Sequence, residues 1–241
     1  MTRVKVCGIM DQQNAEVCIE AGVDAVGLIV EYPLSVPWNI KSSEARQLVN
    51  GLPPFVSTCV VTGGSADHIL AVAREVQPDI IQVHFQETWT EVRTVTQQLR
   101  RYGIKSIKAL SIDHKGQCAF EIPDPIKAAQ ALAETGIAAL LIDSFRQSLP
   151  GGTGVTVDGS IFHTIQQSVN IPVILAGGLT PDNVGPLIEK HQPYAVDVLT
   201  GVEIKPGQKD RKRLRRFMQS VKQVDLKLEK AASEPKCRHF T

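Results

Sequence analysis

The sequence predicts an α/β protein built as a (β/α)8 TIM barrel, and three observations carry that prediction. Short apolar runs alternate with amphipathic helical stretches eight times along the chain. The runs are apolar throughout rather than at every second residue, as strands of a parallel sheet buried on both faces require. Residues that turn a helix back into a strand recur, in Ala21-Gly22-Val23-Asp24-Ala25, Gln77-Pro78-Asp79, Thr135-Gly136-Ile137-Ala138 and Gln192-Pro193-Tyr194. A doubly wound sheet would open on a GxGxxG turn, but the first run here leads into Gly8-Ile9-Met10. The 241 residues, 43% of them hydrophobic, are enough for one large core, so a single domain is expected.

The first strand is expected over 4–7, followed by Gly8 and a helix over 11–21 that Asp11 can cap. The second strand covers 25–30, and a loop rich in proline and aromatics covers 31–40. Ser42 or Ser43 caps the next helix, to about 50, with Glu44 in its first turn. Strands over 55–61, 80–84 and 104–110 alternate with helices over 66–76 and 89–102. After a loop come a helix over 125–135 and a sixth strand over 138–142, which ends in Asp143-Ser144. The glycine-rich loop 150–154 leads to a helix over 158–168. Apolar runs over 173–176 and 195–198 are strands seven and eight, and the last helix is expected over 208–222. The barrel is thus expected to occupy 1–222. Residues 223–241 form a C-terminal extension with few apolar residues, expected to be flexible and dispensable, although 225–232 could extend the last helix.

A net charge of +1 gives no reason to expect nucleic-acid binding. The basic run KDRKRLRR at 209–216 reads as the solvated face of the last helix, with Leu214, Phe217 and Val221 opposite. No run reaches transmembrane length and no leader sequence opens the chain, so membrane association and secretion are not expected. The five cysteines are scattered, odd in number and without metal-ligand spacing. Reduced thiols in the cytoplasm, with no metal centre, follow.

The last two units carry a phosphate-site pattern. Strand seven ends in Gly177-Gly178, before Thr180-Pro181-Asp182, which reads as an N-cap and first helical turn. Strand eight ends in Leu199-Thr200-Gly201. Two successive strand–glycine-turn units are how a barrel builds a phosphate site, since glycines let backbone N–H groups approach the anion. Gly177, Gly178, Thr200 and Gly201 are therefore the candidate phosphate residues.

Reactive side chains of such barrels stand at strand C-termini. The polar residues there are Cys7, Glu31, Thr62, His84, Ser111, Asp143, Asp197 and Thr200. Cys7 is exposed by the neighbouring Gly8, and Asp143 is a carboxylate closing an apolar strand. A thiol and a carboxyl beside a phosphate site make an acid–base pair around a phosphorylated substrate. A thiol acts as a base only as thiolate, so a lowered Cys7 pKa is expected. Lys108 lies inside strand five, where the pattern leaves its direction open.

Together these segments resemble the phosphoribosylanthranilate isomerases of tryptophan biosynthesis, over roughly residues 3–221. The matching residues are Val4-Lys5-Val6-Cys7-Gly8-Ile9, Ala21 to Gly27, Ile81-Gln82-Val83-His84, Leu141-Ile142-Asp143-Ser144, Gly151-Gly152-Thr153-Gly154, Leu175 to Val184, Asp197 to Glu203, and Gly207-Gln208-Lys209-Asp210. The resemblance implies a cofactor-free Amadori rearrangement of N-(5-phosphoribosyl)anthranilate to 1-(2-carboxyphenylamino)-1-deoxyribulose 5-phosphate. It places the general base on Cys7 and the general acid on Asp143; substrate contacts are further expected at His84, Gly152, Arg146 and Trp38, the last either stacking on an aromatic ring or closing the mouth as an apolar plug.

Three departures accompany it. Trp38 stands about where the family carries an arginine facing the anthranilate carboxylate, Phe85 stands where it prefers glycine, and the last phosphate turn is Leu-Thr-Gly rather than Ser-Ser-Gly. Arg146 is the replacement cation the sequence offers for the carboxylate. The alternatives are a relative taking a different phosphoribosyl amine and a non-catalytic phosphate-ligand binder. The histidine-pathway isomerase shares fold and reaction but uses aspartate at the position of Cys7. A monomer or homodimer is expected, with a small phosphorylated substrate as its partner.

Overall fold

A computed structural model describes residues 1–144 and 159–233. Eight parallel strands close into a barrel: β1 (Arg3–Val6), β2 (Ala25–Val30), β3 (Ser57–Thr62), β4 (Ile80–Val83), β5 (Lys105–Ile112), β6 (Ala139–Ser144), β7 (Val173–Leu175) and β8 (Ala195–Val198). β1 closes the ring by pairing with both β2 and β8, Lys5 lying opposite Ala25 on one side and Asp197 on the other. A two-residue strand, Asn39–Ile40, extends the sheet beside β2, and the segments Glu203–Lys205 and Gln208–Lys209 form a small hairpin after β8.

The outer layer comprises α1 (Gln12–Ala21), α2 (Ser42–Gly51), α3 (Ala66–Val76), α4 (Trp89–Arg101), α5 (Pro125–Glu134), α6 (Gly159–Ser168), α7 (Val184–His191) and α8 (Arg211–Ser233). Their starts follow local chemistry. The side chains of Asp11, Ser65, Thr88 and Asp124 accept bonds from the first free N–H groups of α1, α3, α4 and α5. Gly22 ends α1 at φ 79°, the left-handed conformation that glycine adopts without a Cβ clash.

Strand alternation sorts the core into two layers. Val4, Val6, Leu140, Ile142, Val196 and Val198 pack outward against the helices. Ile107, Ala109, Leu141, Ile174 and Ala176 fill the barrel interior. Cys7, Gln82, His84, Ser111, Asp143 and Asp197 share the inward phase and face the mouth. Lys108 has the outward phase. It is buried in a salt bridge to Glu87, 2.7 Å, and also donates to the Phe85 carbonyl, so it braces the outside of the barrel.

Three expected boundaries move. Lys41 takes the N-cap position of α2 without a side-chain cap, its N–H donating to Glu44 at 2.9 Å, while Ser42 turns its hydroxyl to Glu31, 2.7 Å away. α7 starts at Val184 rather than after Thr180, because the Asn183 amide accepts from Thr180 N (2.7 Å) and donates to Gly178 O (2.9 Å), holding 178–183 as a turn. α8 continues past 222 to Ser233: Asp225 takes hydrogen bonds from the backbone and hydroxyl of Thr2, Lys227 pairs with Glu189, and Val224 and Leu228 pack on the core.

Candidate active site

The C-terminal ends of the strands surround one pocket of about 310 Å³. Among the predicted site residues, Cys7, Trp38, His84, Asp143, Gly177, Gly178, Thr200 and Gly201 all line it. Arg146 and Gly152 lie outside the described residues. Glu31 and Thr62 do not line it: Glu31 is occupied with Ser42, and Thr62 faces outward and is fully buried. Among the described residues lining the pocket there is no lysine or arginine. No three His, Cys, Asp or Glu side chains among the described residues are arranged to hold a metal, and no described helix is long and apolar enough to cross a membrane.

Cys7 follows the last residue of β1, with its N–H on the Val198 carbonyl at 2.9 Å. Its own carbonyl receives Lys209 Nζ at 2.5 Å, and Lys209 is also paired with Glu203, 2.8 Å. Gly8 then turns the chain at φ 78°, and Trp38 packs where a side chain would stand, 2.9 Å from the position of a Cβ. The indole N–H of Trp38 donates to Glu203 at 3.0 Å. Trp38 is therefore a buried wall over the Cys7 turn, together with Ile29, Val61 and Leu199. Burial pushes the Cys7 thiol pKa up, and the nearby charges of Lys5 and Lys209 offset this only in part. The expected lowered thiol pKa is overturned: enclosure by apolar neighbours outweighs the two ammonium groups.

Asp143 lies on the inward face near the end of β6, pairing in register with Ser111 of β5. His84 Nε2 is 3.4 Å from Ser111 Oγ and 4.0 Å from Asp143 Oδ2. Burial first, and then the charges of Lys108 and Lys5, push the imidazole down to about 3, so it is neutral near pH 7. About 27% of the side chain faces the pocket, and water there softens the shift without changing its sign. Tyr32 covers this side, its hydroxyl on the His84 carbonyl and its ring edge-on to the imidazole and to Phe85.

The two glycine turns meet. Gly177 and Gly178 have φ 86° and 61°, the left-handed conformation that glycine adopts without a Cβ clash. Thr200–Val202 is a single 3-10 turn. Gly201 packs directly on the Leu179 carbonyl, which occupies the place of a Cβ and joins the turns into one wall.

Sequence reasoning assigned no role to Lys5, Tyr32, Gln82, Ser111 or Asp197. Strand phase is the signal that finds most of them, because Lys5 and Asp197 alternate with outward apolar neighbours.

A family described as N-(5'-phosphoribosyl)anthranilate (PRA) isomerase matches residues 4–220. A relative of that name from Haloferax volcanii is 37% identical over 223 residues, covering 92% of this chain and 94% of the relative. One from Pseudomonas fluorescens is 38% identical over 221 residues, covering 91% and 95%. Among solved structures, phosphoribosyl anthranilate isomerase from Thermotoga maritima superposes with a TM-score of 0.78 at 31% identity, covering 92% of this chain and all of that one. A second phosphoribosyl anthranilate isomerase structure, holding reduced 1-(o-carboxyphenylamino)-1-deoxyribulose 5-phosphate, superposes with a TM-score of 0.74 at 31% identity and the same coverage.

Proposed function

The chain belongs to the N-(5'-phosphoribosyl)anthranilate isomerase family, and we propose that it catalyses that isomerisation in tryptophan biosynthesis, with Cys7 as general base and Asp143 as general acid. The observation that carries this reading is the convergence of a thiol, a carboxyl and two glycine turns on one pocket.

Phosphate on C5 of the sugar docks against Gly177, Gly178, Thr200 and Gly201, whose backbone N–H groups supply the bonds. Asp143 gives its proton to the ring oxygen as the C1–O bond breaks, and the nitrogen lone pair forms an iminium at C1. The Cys7 thiolate then takes the proton from C2. The C–H electrons form a C1–C2 double bond and neutralise the nitrogen, giving an enolamine. Proton gain at C1 and loss from the C2 hydroxyl yield the ketose. The iminium of the substrate itself receives the electron pair, so the scheme calls for no cofactor. Neutral His84 stands 4.0 Å from Asp143 and lines the same side of the pocket.

Trp38, Ile29, Leu34, Val36 and Phe85 make the other end of the pocket apolar, which suits an aryl substituent. Arg146 is proposed to meet the anthranilate carboxylate, and Gly152 to lie in the same loop against the substrate. We propose a monomer or a homodimer; one Thermotoga maritima relative is dimeric. The free thiols of Cys7, Cys18, Cys59 and Cys118 support a reducing, cytoplasmic setting. Complementation of a strain lacking phosphoribosylanthranilate isomerase tests the assignment: growth without tryptophan is expected, and its absence with soluble protein present would count against it.

A further inference from the structure

A buried ion pair stands behind the base, and the acid–base scheme does not use it. Lys209 Nζ lies 2.8 Å from Glu203 Oε1, and the two side chains are 0% and 3% exposed. Neither residue lines the pocket. Burying two opposite charges costs desolvation that their attraction roughly repays, and apolar side chains of the same volume are commonly as stable. The pair therefore calls for a role beyond holding the hairpin to the barrel.

Its hydrogen bonds point to that role. The Lys209 ammonium donates to the backbone carbonyl of Cys7, 2.5 Å away. Lys209 is fixed at its other end too, where its backbone N–H donates to Asn14 Oδ1 of α1 at 2.7 Å. The Asn14 amide is held in turn by Asp11, the residue that caps α1. Glu203 has its own supports, accepting from the Trp38 indole at 3.0 Å and from the Gly207 N–H at 3.1 Å. Thus α1, the loop after β2 and the hairpin after β8 converge on one carbonyl, in the peptide that joins Cys7 to the Gly8 turn. The Cys7 N–H is already held by the Val198 carbonyl at 2.9 Å. With both peptide groups of Cys7 fixed, a single torsion about the Cα–Cβ bond sets where the thiol points. Other charges face the thiol from the barrel side, where Lys5 of β1 and Asp197 of β8 pair with each other at 2.7 Å.

We propose that Lys209, charge-balanced by Glu203, is a positioning residue for the base: it fixes the Cys7 peptide so that the thiol is aimed at the C2 hydrogen, and it acts without touching the substrate. This rests on the reading of Cys7 as general base. A misplacement of about 1 Å at a reacting group is enough to slow a reaction about 100-fold, so a buried ammonium that holds one carbonyl in place has a role to fill. Its positive charge also favours the thiolate over the thiol, in the same direction as Lys5.

The test is a cycle of variants. Lys209→Met/Glu203→Gln removes both charges, so that neither is left buried alone, and the glutamine oxygen still accepts from Trp38 and Gly207. In the otherwise wild-type protein kcat is expected to fall about 10- to 100-fold, while KM and the affinity for the reduced product analogue change less than about threefold. Added to Cys7→Ala, the same two substitutions are expected to lower the residual turnover less than about threefold, because no thiol is left to aim. A merely structural role would lower turnover alike in both backgrounds. An equal fall in the two overturns the proposal, and so does a kcat kept within about threefold of wild type or a loss that appears in KM alone. Should that variant fail to fold, Lys209→Gln/Glu203→Gln, which keeps a neutral donor beside the Cys7 carbonyl, goes through the same cycle and decides by the same criteria. A Cys7→Ala variant as active as wild type overturns the reading of Cys7 as base and this proposal with it, whereas a slow Cys7→Ala with an equal fall in both backgrounds overturns this proposal alone.

Discussion

Trp38 donates its indole N–H to Glu203 at 3.0 Å and so ties the loop after β2 to the hairpin beneath Cys7. Glu203 also holds Lys209, and Lys209 holds the Cys7 carbonyl. A residue that in sequence reads as a change at the substrate end is thus equally a support for the base. Trp38→Phe keeps the apolar body and loses the donor, at a cost of about 1 kcal/mol and with turnover largely kept. Trp38→Ala should cost about 3–5 kcal/mol and lower kcat as the Cys7 turn loosens. Thermal melts and steady-state kinetics on both variants check this; an Ala variant as stable and active as wild type would remove Trp38 from the account.

Gly201→Ala should separate the two phosphate turns, because the added methyl would occupy the place of the Leu179 carbonyl. KM is expected to rise at least about tenfold while kcat falls less, since phosphate binding is remote from the reacting carbon. Inhibition by inorganic phosphate should weaken in parallel; unchanged inhibition would place the phosphate elsewhere.

The pH profile should expose the buried thiol. Only the thiolate acts as base, and burial holds the Cys7 pKa above its ordinary value. The part of the alkylation rate of the free enzyme that Cys7→Ala abolishes reads the thiolate fraction by itself, and it is expected to climb about tenfold per unit between roughly pH 6 and 8, without levelling off there. A plateau already reached below pH 7 would show a base with a low pKa in place of this one.

Truncation after Lys222 should lower Tm while leaving kcat and KM near wild type. It removes Asp225, which ties α8 to Thr2, and Lys227, which pairs with Glu189, all remote from the pocket. Unchanged melting would mean these contacts contribute nothing; lost turnover would mean the last helix supports the mouth.

The strand–helix order was legible because each unit announces itself locally, through an apolar run, a capping residue and a turn. The boundaries that moved did so for contacts outside that local pattern: Ser42 is drawn to Glu31, eleven residues away, and the Asn183 amide holds Thr180 out of α7. That Cys7, Asp143 and the glycine turns would gather at the barrel mouth was legible because they close strands. The Lys5–Asp197 pair was not, because its members are 192 residues apart and meet only when β1 closes on β8. The direction of the Cys7 pKa was not legible either, because it depends on how completely Trp38, Ile29 and Val61 enclose the thiol.

Steady-state turnover of phosphoribosylanthranilate by Cys7→Ala, beside wild type of matched Tm, tests the central claim most directly. Removing the general base should lower kcat about 10²- to 10⁴-fold while the reduced product analogue still binds. Wild-type turnover with Cys7→Ala within a factor of a few of it would contradict the assignment of Cys7 as the base.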